Sequence, residues 1–244
     1  MPNWRKVDQT WCIWPSNPIG LIEMIGGSYL SASPNISYNR LLESLYKRDI
    51  AIHTWGYIPS FDHQAQSNEA WKSLRKCRIR LESRIGNISF KPIRIGHSLG
   101  CKLHLIAPDG GRRSKCFIGL SFNNFQASKS IPILGKIKKK LNIETEFSPS
   151  PLETMSLIRK NYIQPKNLLI QFDNDKLDQT KQLQKNLQMR PKDETKVIQL
   201  NGNHLTPASA GVRDFFITEA SHDKKSHNHN LNKVIDIIYN YAAS

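Results

Sequence analysis

The chain has 244 residues, of which 39% are hydrophobic, a length and composition that suit one folded domain with its own core. Its 35 Lys and Arg against 20 Asp and Glu give a formal net charge of +15, which favours acidic partners through long-range attraction. No apolar run approaches the roughly 18 to 20 residues that span a bilayer, and no signal-peptide core opens the chain. These features argue against an integral membrane or secreted protein, and we expect a cytoplasmic one.

Apolar runs that end in turns alternate along the chain with amphipathic segments. The runs predict strands at residues 21–25, 50–55, 92–95, 116–121, 167–172 and 196–200. The amphipathic segments predict helices at residues 38–48, 67–83, 99–106, 178–187, 208–217 and 231–241. This alternation predicts an α/β fold with a mainly parallel sheet flanked by helices.

The first predicted strand runs into Gly26, Gly27, Ser28 and Tyr29. Glycines in such a loop let the backbone turn its N–H groups toward a negative charge that develops during a reaction. A Gly-Gly pair after a strand is also common in simple turns. We expect the amide of Ser28 or Tyr29 to serve as one donor of an oxyanion hole.

The third predicted strand ends in Gly96, His97, Ser98, Leu99 and Gly100, a GxSxG pattern. When such a pattern joins a strand to a helix, the sharp turn holds the serine hydroxyl out over the edge of the sheet as a nucleophile. The amide of Leu99 would then be the second oxyanion donor. Because ordinary glycine-rich turns also match the pattern, it needs an acid and a histidine later in the chain.

The connection over residues 122–165 is longer than a crossover helix requires. It predicts a short cap insertion over the pocket, with a surface excursion of small helices as the alternative. Residues 133–143 mix apolar and lysine side chains, as do segments that lie on anionic membrane surfaces. One alternative is that the positive charge binds an acidic acyl carrier protein. Another is that the lysines form a basic surface that only water contacts. The basic clusters lack interleaved aromatic residues, so no nucleic-acid partner is expected.

The fifth predicted strand runs directly into three carboxylates, Asp173, Asp175 and Asp178. A carboxylate at this end of a strand lies at the sheet edge where open α/β sheets bind ligands, and there it can orient an imidazole. We favour Asp175 as the acid. Asp178 is the alternative, although its position before a predicted helix also suits an N-cap.

His204 follows the last predicted strand in a glycine-containing loop, and it comes after both Ser98 and the acids. The order Ser, acid, His is the order of α/β-hydrolases, so His204 is the expected general base. His53, His97 and His104 suit packing positions. Five residues are candidates to line the pocket: Gly26, Gly27, His63, His97 and Asn123.

The C-terminal part of the chain changes in composition. We expect one domain over residues 1–218, a polar linker over 219–230, and a helix over 231–244 that packs on the domain. The histidines of the linker match no known metal-ligand spacing, and the catalytic pattern needs no further group. We therefore expect neither a metal nor a cofactor.

Six segments together resemble one family. They read IGGSY at residues 25–29, FDH at 61–63, GHSLG at 96–100, SFNN at 121–124, FSPSPLET at 147–154 and GNHLTP at 202–207. In this set the chain is similar to the domain-of-unknown-function 1350 family of cyanobacteria and plastids, over residues 11–207. That family is placed among α/β-hydrolase-like proteins, so the resemblance implies this fold without naming a substrate.

The sequence thus predicts a serine hydrolase of the esterase, lipase or thioesterase type. Ser98 would attack a small-molecule or lipid acyl ester or thioester, His204 would act as the base, and Asp175 would orient it. Association with an anionic membrane surface or an acidic acyl carrier is the accompanying hypothesis. The alternative is a non-catalytic binding or scaffold protein with an α/β-hydrolase-like fold, since a fold does not fix a function.

Overall fold

The structure is a computed structural model that describes residues 3–86, 90–127, 146–209 and 224–243. Its strands are β1 (Arg5–Val7), β2 (Thr10–Ile13), β3 (Gly20–Ile25), β4 (Ile50–Trp55), β5 (Ile93–His97), β6 (Cys116–Leu120), β7 (Asn167–Phe172) and β8 (Lys196–Leu200). Its helices are α1 (Pro34–Ser37), α2 (Asn39–Tyr46), α3 (His63–Ile85), α4 (Leu99–Leu105), α5 (Pro151–Asn161), α6 (Thr180–Gln188) and α7 (Lys224–Ala243).

The strands form one sheet in the order β1-β2-β4-β3-β5-β6-β7-β8. β2 pairs antiparallel with β1 and β4, and every pair from β4 to β8 is parallel. The predicted class, a mainly parallel sheet flanked by helices, is therefore confirmed. Because the parallel strands share one direction, the loops after β3, β5, β6, β7 and β8 all emerge at the same edge of the sheet.

Helices cover both faces of the sheet, so the central strands are buried along their length. One face packs α2 and α7 against the strands, with Leu41, Leu45, Val234 and Ile238 inaccessible to solvent. The other face packs α3, α4, α5 and α6, with Leu74, Leu103, Ile158 and Leu183 buried there. Burial of each such side chain stabilises the fold by about 1.5–3 kcal/mol, which fixes the strand ends that carry the site.

Several element boundaries differ from the predicted ones. β1 and β2 lie outside the predicted elements because each is only three or four residues long. α3 begins at His63, before the predicted start at residue 67, because Asp62 Oδ1 accepts a hydrogen bond from the Ala65 amide at 2.8 Å and caps the helix. α7 begins at Lys224, so residues 224–230 of the predicted linker are helical.

The predicted cap is described at residues 122–127 and 146–165. There α5 begins with a capping box in which Ser150 and Glu153 exchange hydrogen bonds. The basic segment 133–143 and the predicted helix beyond residue 209 lie outside the described residues. Within the described ranges, no helix combines the length and apolar character needed to cross a membrane.

Candidate active site

Ser98 occupies the turn between β5 and α4 with a backbone φ of 55° and ψ of −122°, a conformation that residues with a side chain rarely adopt. The Ser98 amide donates to the Leu120 carbonyl at 3.0 Å, which holds the turn against β6. A Cβ atom at Gly96 would lie 2.5 Å from Cys101 Cα, and one at Gly100 would lie 2.0 Å from the Ile25 carbonyl oxygen. The two outer glycines are therefore required by close backbone approach.

His204 lies between Ser98 and Asp175. Its Nε2 is 3.0 Å from Ser98 Oγ, and its Nδ1 is 2.8 Å from Asp175 Oδ2. Since a carboxylate only accepts, Nδ1 carries the proton, and Nε2 is left to accept from the serine hydroxyl. The loops after β5, β7 and β8 thus bring the predicted nucleophile, acid and base together, with the tautomer that proton abstraction requires.

The Asp175 side chain is 0% exposed. Burial by itself raises the pKa of this carboxyl group, but hydrogen bonds from His204 and from the Leu177 amide outweigh it, so the pKa lies below the ordinary value. Asp175 is therefore ionised at neutral pH. An ionised carboxylate fixes the imidazole and stabilises the imidazolium that forms when His204 takes a proton.

The other two carboxylates in this segment make structural contacts. Asp173 Oδ1 accepts from the Gly202 amide at 2.8 Å, which ties the loop after β7 to the loop after β8. Asp178 accepts from the Thr180 amide at 2.8 Å, where α6 begins, and from the Gln171 side chain at 2.9 Å. These hydrogen bonds of Asp173 and Asp178 go to groups other than His204, so the geometry favours Asp175 over the alternative acid.

The candidate oxyanion donors line a cleft beside Ser98. Leu99 is the first residue of α4, so its amide has no acceptor within the helix. The Gly27 amide donates to the Tyr38 hydroxyl at 2.8 Å, so it is not available as an oxyanion donor. Ser28 and Tyr29, which line the cleft with Leu99, are therefore the upstream donor candidates. The predicted pocket residues Gly26 and Gly27 are buried and do not line the cleft.

His97 takes part in a chain of hydrogen bonds beneath the site. The Tyr38 hydroxyl accepts from Gly27 and donates to His97 Nδ1 at 2.8 Å, and His97 Nε2 donates to the His204 carbonyl oxygen at 2.8 Å. Burial lowers the pKa of His97 to about 3, which keeps the ring neutral with a single N–H. His97 is thus neither a plain packing residue nor part of the pocket surface.

The cleft is formed by the loops after β3, β4 and β6, the first turn of α4, and Phe147, and it encloses about 110 Å3. The predicted pocket residues His63 and Asn123 lie on its wall, and Asn123 Nδ2 donates to Ser98 Oγ at 2.7 Å.

Two further residues on this wall, Lys102 and Phe147, were not anticipated from the sequence. A lysine within the mainly apolar segment 99–106 was the available signal for Lys102. In the described part of the chain, no three His, Cys, Asp or Glu side chains are grouped to hold a metal ion.

Solved structures of α/β-hydrolases share this architecture. DcsB, solved in complex with its substrate analogue, is 11% identical with a TM-score of 0.62, and the match covers 99% of this chain and 97% of that one. Est1E from Butyrivibrio proteoclasticus is 13% identical with a TM-score of 0.55, over 98% and 96% of the two chains. A Paleococcus ferrophilus monoacylglycerol lipase is 11% identical with a TM-score of 0.58, over 98% and 99%. At these identities the likeness shows the fold alone.

Comparison with curated proteins finds no match. A family model described as a protein of unknown function, DUF1350, matches residues 3–221, which include all three members of the Ser-His-Asp arrangement. The resemblance seen in the six sequence segments is therefore confirmed over nearly the whole chain. This chain belongs to the DUF1350 family and has the α/β-hydrolase fold.

Proposed function

We propose that the protein is a serine hydrolase that cleaves an acyl ester or thioester. The observation that carries this proposal is the continuous hydrogen-bonded chain from Ser98 Oγ through His204 to the ionised Asp175. Three side chains from three separate loops meet at hydrogen-bonding distances. The arrangement has the roles and geometry of a nucleophile, a base and an orienting acid.

In this mechanism Ser98 Oγ attacks the substrate carbonyl carbon while His204 Nε2 accepts the hydroxyl proton. The negative charge that develops on the carbonyl oxygen is bound by the Leu99 amide and by the amide of Ser28 or Tyr29. Such a donor is worth about 10²–10³ in turnover. His204 then returns the proton to the leaving alcohol or thiol, and the acyl group stays on Ser98. Water, activated by the same imidazole, releases the acid and restores the serine.

The surroundings of Ser98 support this assignment. The Asn123 amide donates to Oγ, which leaves the hydroxyl proton directed at His204. The strained backbone at Ser98 is maintained by the packing of Gly96 and Gly100, and strain of this kind is characteristic of functional positions. The shared fold with an esterase and a monoacylglycerol lipase is consistent with acyl transfer.

Labelling with a fluorophosphonate tests the proposal directly, because this probe modifies only an activated serine. The wild type should gain one adduct on the peptide that contains Ser98, and Ser98→Ala should gain none. Ser83→Ala, at an exposed serine on α3, is the matched control and should label like the wild type. Turnover of p-nitrophenyl butyrate should fall by at least about 10³-fold in Ser98→Ala.

Two outcomes would overturn the proposal: a wild type that takes up no label and hydrolyses no ester, or an Ser98→Ala variant that labels as well as the wild type. The first would favour a binding protein built on the same fold. The second would move the nucleophile to another residue.

A further inference from the structure

Lys102 lies one turn after Ser98 on α4, and its side chain lines the cleft although the residue is only 1% exposed. Lysine is among the residues least often buried, because its ammonium group loses hydration. Here Nζ donates to the Pro149 carbonyl oxygen at 2.8 Å, and no carboxylate oxygen of the described residues lies within ion-pairing distance. One carbonyl uses only one of the three N–H groups, so the ammonium has donors to spare.

His63 lies on the same wall and is 2% exposed. Neither ring nitrogen has a hydrogen-bond partner within the described structure. Burial, followed by the nearby Lys102 charge, lowers the pKa of His63 to about 3, so the ring is neutral with one N–H donor. A buried polar ring with no partner is costly unless something else supplies the partner, and a ligand in the cleft is in position to do so.

Phe147 brings the two groups together. The His63 ring stacks on Phe147 with centroids 4.3 Å apart, and Lys102 Nζ lies 5.9 Å from the same centroid. Phe147 is held in place because the Ser148 amide donates to the Phe61 carbonyl at 2.8 Å and the Ser148 carbonyl accepts from the Gln64 amide at 3.1 Å. The donors of Lys102 and His63 therefore share one fixed apolar wall.

The charge of the cleft is one-sided. Among the described residues that line it, Lys102 carries the one ionisable group that is cationic, and none is acidic. Burial lowers the pKa of Lys102 to about 7, and the attraction of Glu146 and Glu153 offsets only part of this effect. An incoming anion would supply a counter-charge at hydrogen-bonding distance, closer than any carboxylate of the described residues.

From this geometry we infer that Lys102 and His63 form a subsite for an anionic group of the substrate, and that the preferred substrates are esters or thioesters whose acyl chain carries a carboxylate. The inference rests on the proposed function for its reaction, but its binding site stands on Lys102 and His63 alone. Lys102 follows Ser98 by four positions, a rise of about 6 Å along the helix axis, so the carboxylate would lie a few bonds from the carbonyl under attack.

Paired substrates test the selectivity. Monomethyl succinate, glutarate and adipate are compared with methyl butanoate, pentanoate and hexanoate, and the methanol released gives kcat/KM for each. For the best pair, the wild type should favour the acidic ester at least tenfold. Lys102→Met should lower this acidic-to-neutral ratio at least tenfold, and His63→Phe, which keeps the ring stack, should lower it severalfold. Lys72→Met removes one exposed charge from α3 and should leave the ratio unchanged.

The ratio is used because a partly damaged variant loses turnover of both esters alike. A ratio near one in the wild type, or one that Lys102→Met leaves unchanged, would overturn the inference while the hydrolase proposal stands.

Binding without turnover separates the two proposals. In Ser98→Ala protein, isothermal titration should show glutarate binding that the added Lys102→Met change weakens at least tenfold. If no ester is hydrolysed but glutarate binds in this way, the subsite is confirmed and the hydrolase proposal fails. Inorganic phosphate is the second probe, and if it binds in place of glutarate, the carboxylate assignment is wrong and the anion is a phosphate group. Absence of binding by either anion overturns the subsite.

Discussion

His97 Nε2 lies 2.8 Å from the backbone carbonyl oxygen of His204, so the residue that precedes Ser98 also holds the loop that carries His204. The bond links the buried end of β5 to the loop after β8. On the far side of the ring, Tyr38 fixes Nδ1. Because His97 is neutral, its single N–H is available for the His204 carbonyl, and its other nitrogen accepts from Tyr38.

Replacement of His97 should therefore affect catalysis through geometry. His97→Phe keeps a ring of similar size but removes both hydrogen bonds, and a misplacement of the base by 1 Å can cost about 10²-fold in rate. We expect kcat for p-nitrophenyl butyrate to fall at least about tenfold while KM changes less. His53→Phe is the matched control, since His53 is equally buried and also loses a hydrogen bond, from Trp14. Equal kcat values for the two variants would contradict the positioning role.

Alanine substitution at the three carboxylates should separate the acid from its neighbours. An orienting carboxylate is worth roughly 10⁴ in turnover, whereas a loop or cap contact is worth about 1 kcal/mol of stability. Asp175→Ala should therefore lose activity with a nearly normal melting temperature. Asp173→Ala and Asp178→Ala should instead keep their activity and have a lower melting temperature, because their hydrogen bonds go to Gly202 and Thr180. Loss of turnover in a normally stable Asp178→Ala protein would reassign the acid.

The outer glycines of the turn should be intolerant of a side chain. A Cβ atom at Gly100 would lie 2.0 Å from the Ile25 carbonyl oxygen, so Gly100→Ala must displace the end of β3. We expect a loss of at least about 3 kcal/mol in the free energy of unfolding. Gly20→Ala is the control, because its Cβ would lie 3.3 Å from Ile50 Cδ1, the end of a flexible side chain, and should change stability by no more than about 1 kcal/mol. Urea unfolding followed by circular dichroism measures the free energy of unfolding of both variants. Similar losses in Gly100→Ala and Gly20→Ala would argue against the close approach of Gly100 to Ile25.

Stability should fall in acid because of buried histidines. Burial lowers the pKa of His53, His63, His97 and His104 to about 3 each, against 6.5 in the unfolded chain. Below pH 6.5 the unfolded state binds these protons and the native state does not, so each histidine lowers stability by about 1.4 kcal/mol per pH unit until pH approaches 3.

His104→Leu should remove one such contribution. The slope of unfolding free energy against pH, measured with urea between pH 4.5 and 6, should become shallower by about 1.4 kcal/mol per unit than in the wild type. The slope is compared, because the absolute stability also changes when a buried ring is replaced. Parallel curves for the two proteins would mean that His104 is protonated in the folded state.

The parts of the site that follow strands could be predicted from the sequence. Asp175 and His204 lie in the loops that follow β7 and β8, and the parallel direction of the sheet brings such positions to one edge. The GxSxG pattern at residues 96–100 predicts Ser98 as the nucleophile. The sequence favoured Asp175 among the three acids but left Asp178 as an alternative, because only the paths of the loops after β7 and β8 decide which carboxylate faces the imidazole.

Residues that act across the fold could not be predicted in this way. Tyr38 lies far from His97 in sequence, and nothing local to it indicates a hydrogen bond to the turn. Unlike Tyr38, Lys102 could be noticed in the sequence, because a lysine among buried helix positions is unusual. Its relation to His63 appears only when Phe147, from a distant segment, places both against one ring. The short strands β1 and β2 have too few residues for a periodic signal.

In the proposed hydrolase, the hydrogen bond from the Gly202 amide to Asp173 would let chemistry and specificity vary separately. Two backbone hydrogen bonds, from Asp173 to Leu200 and from Asn174 to Gly202, join the same two segments, so Asp175 and His204 are carried on one braced unit. The loop over residues 59–63, on the cleft wall, lies outside that unit. In the proposed hydrolase, substitutions there would change the molecules accepted without displacing Ser98, Asp175 or His204.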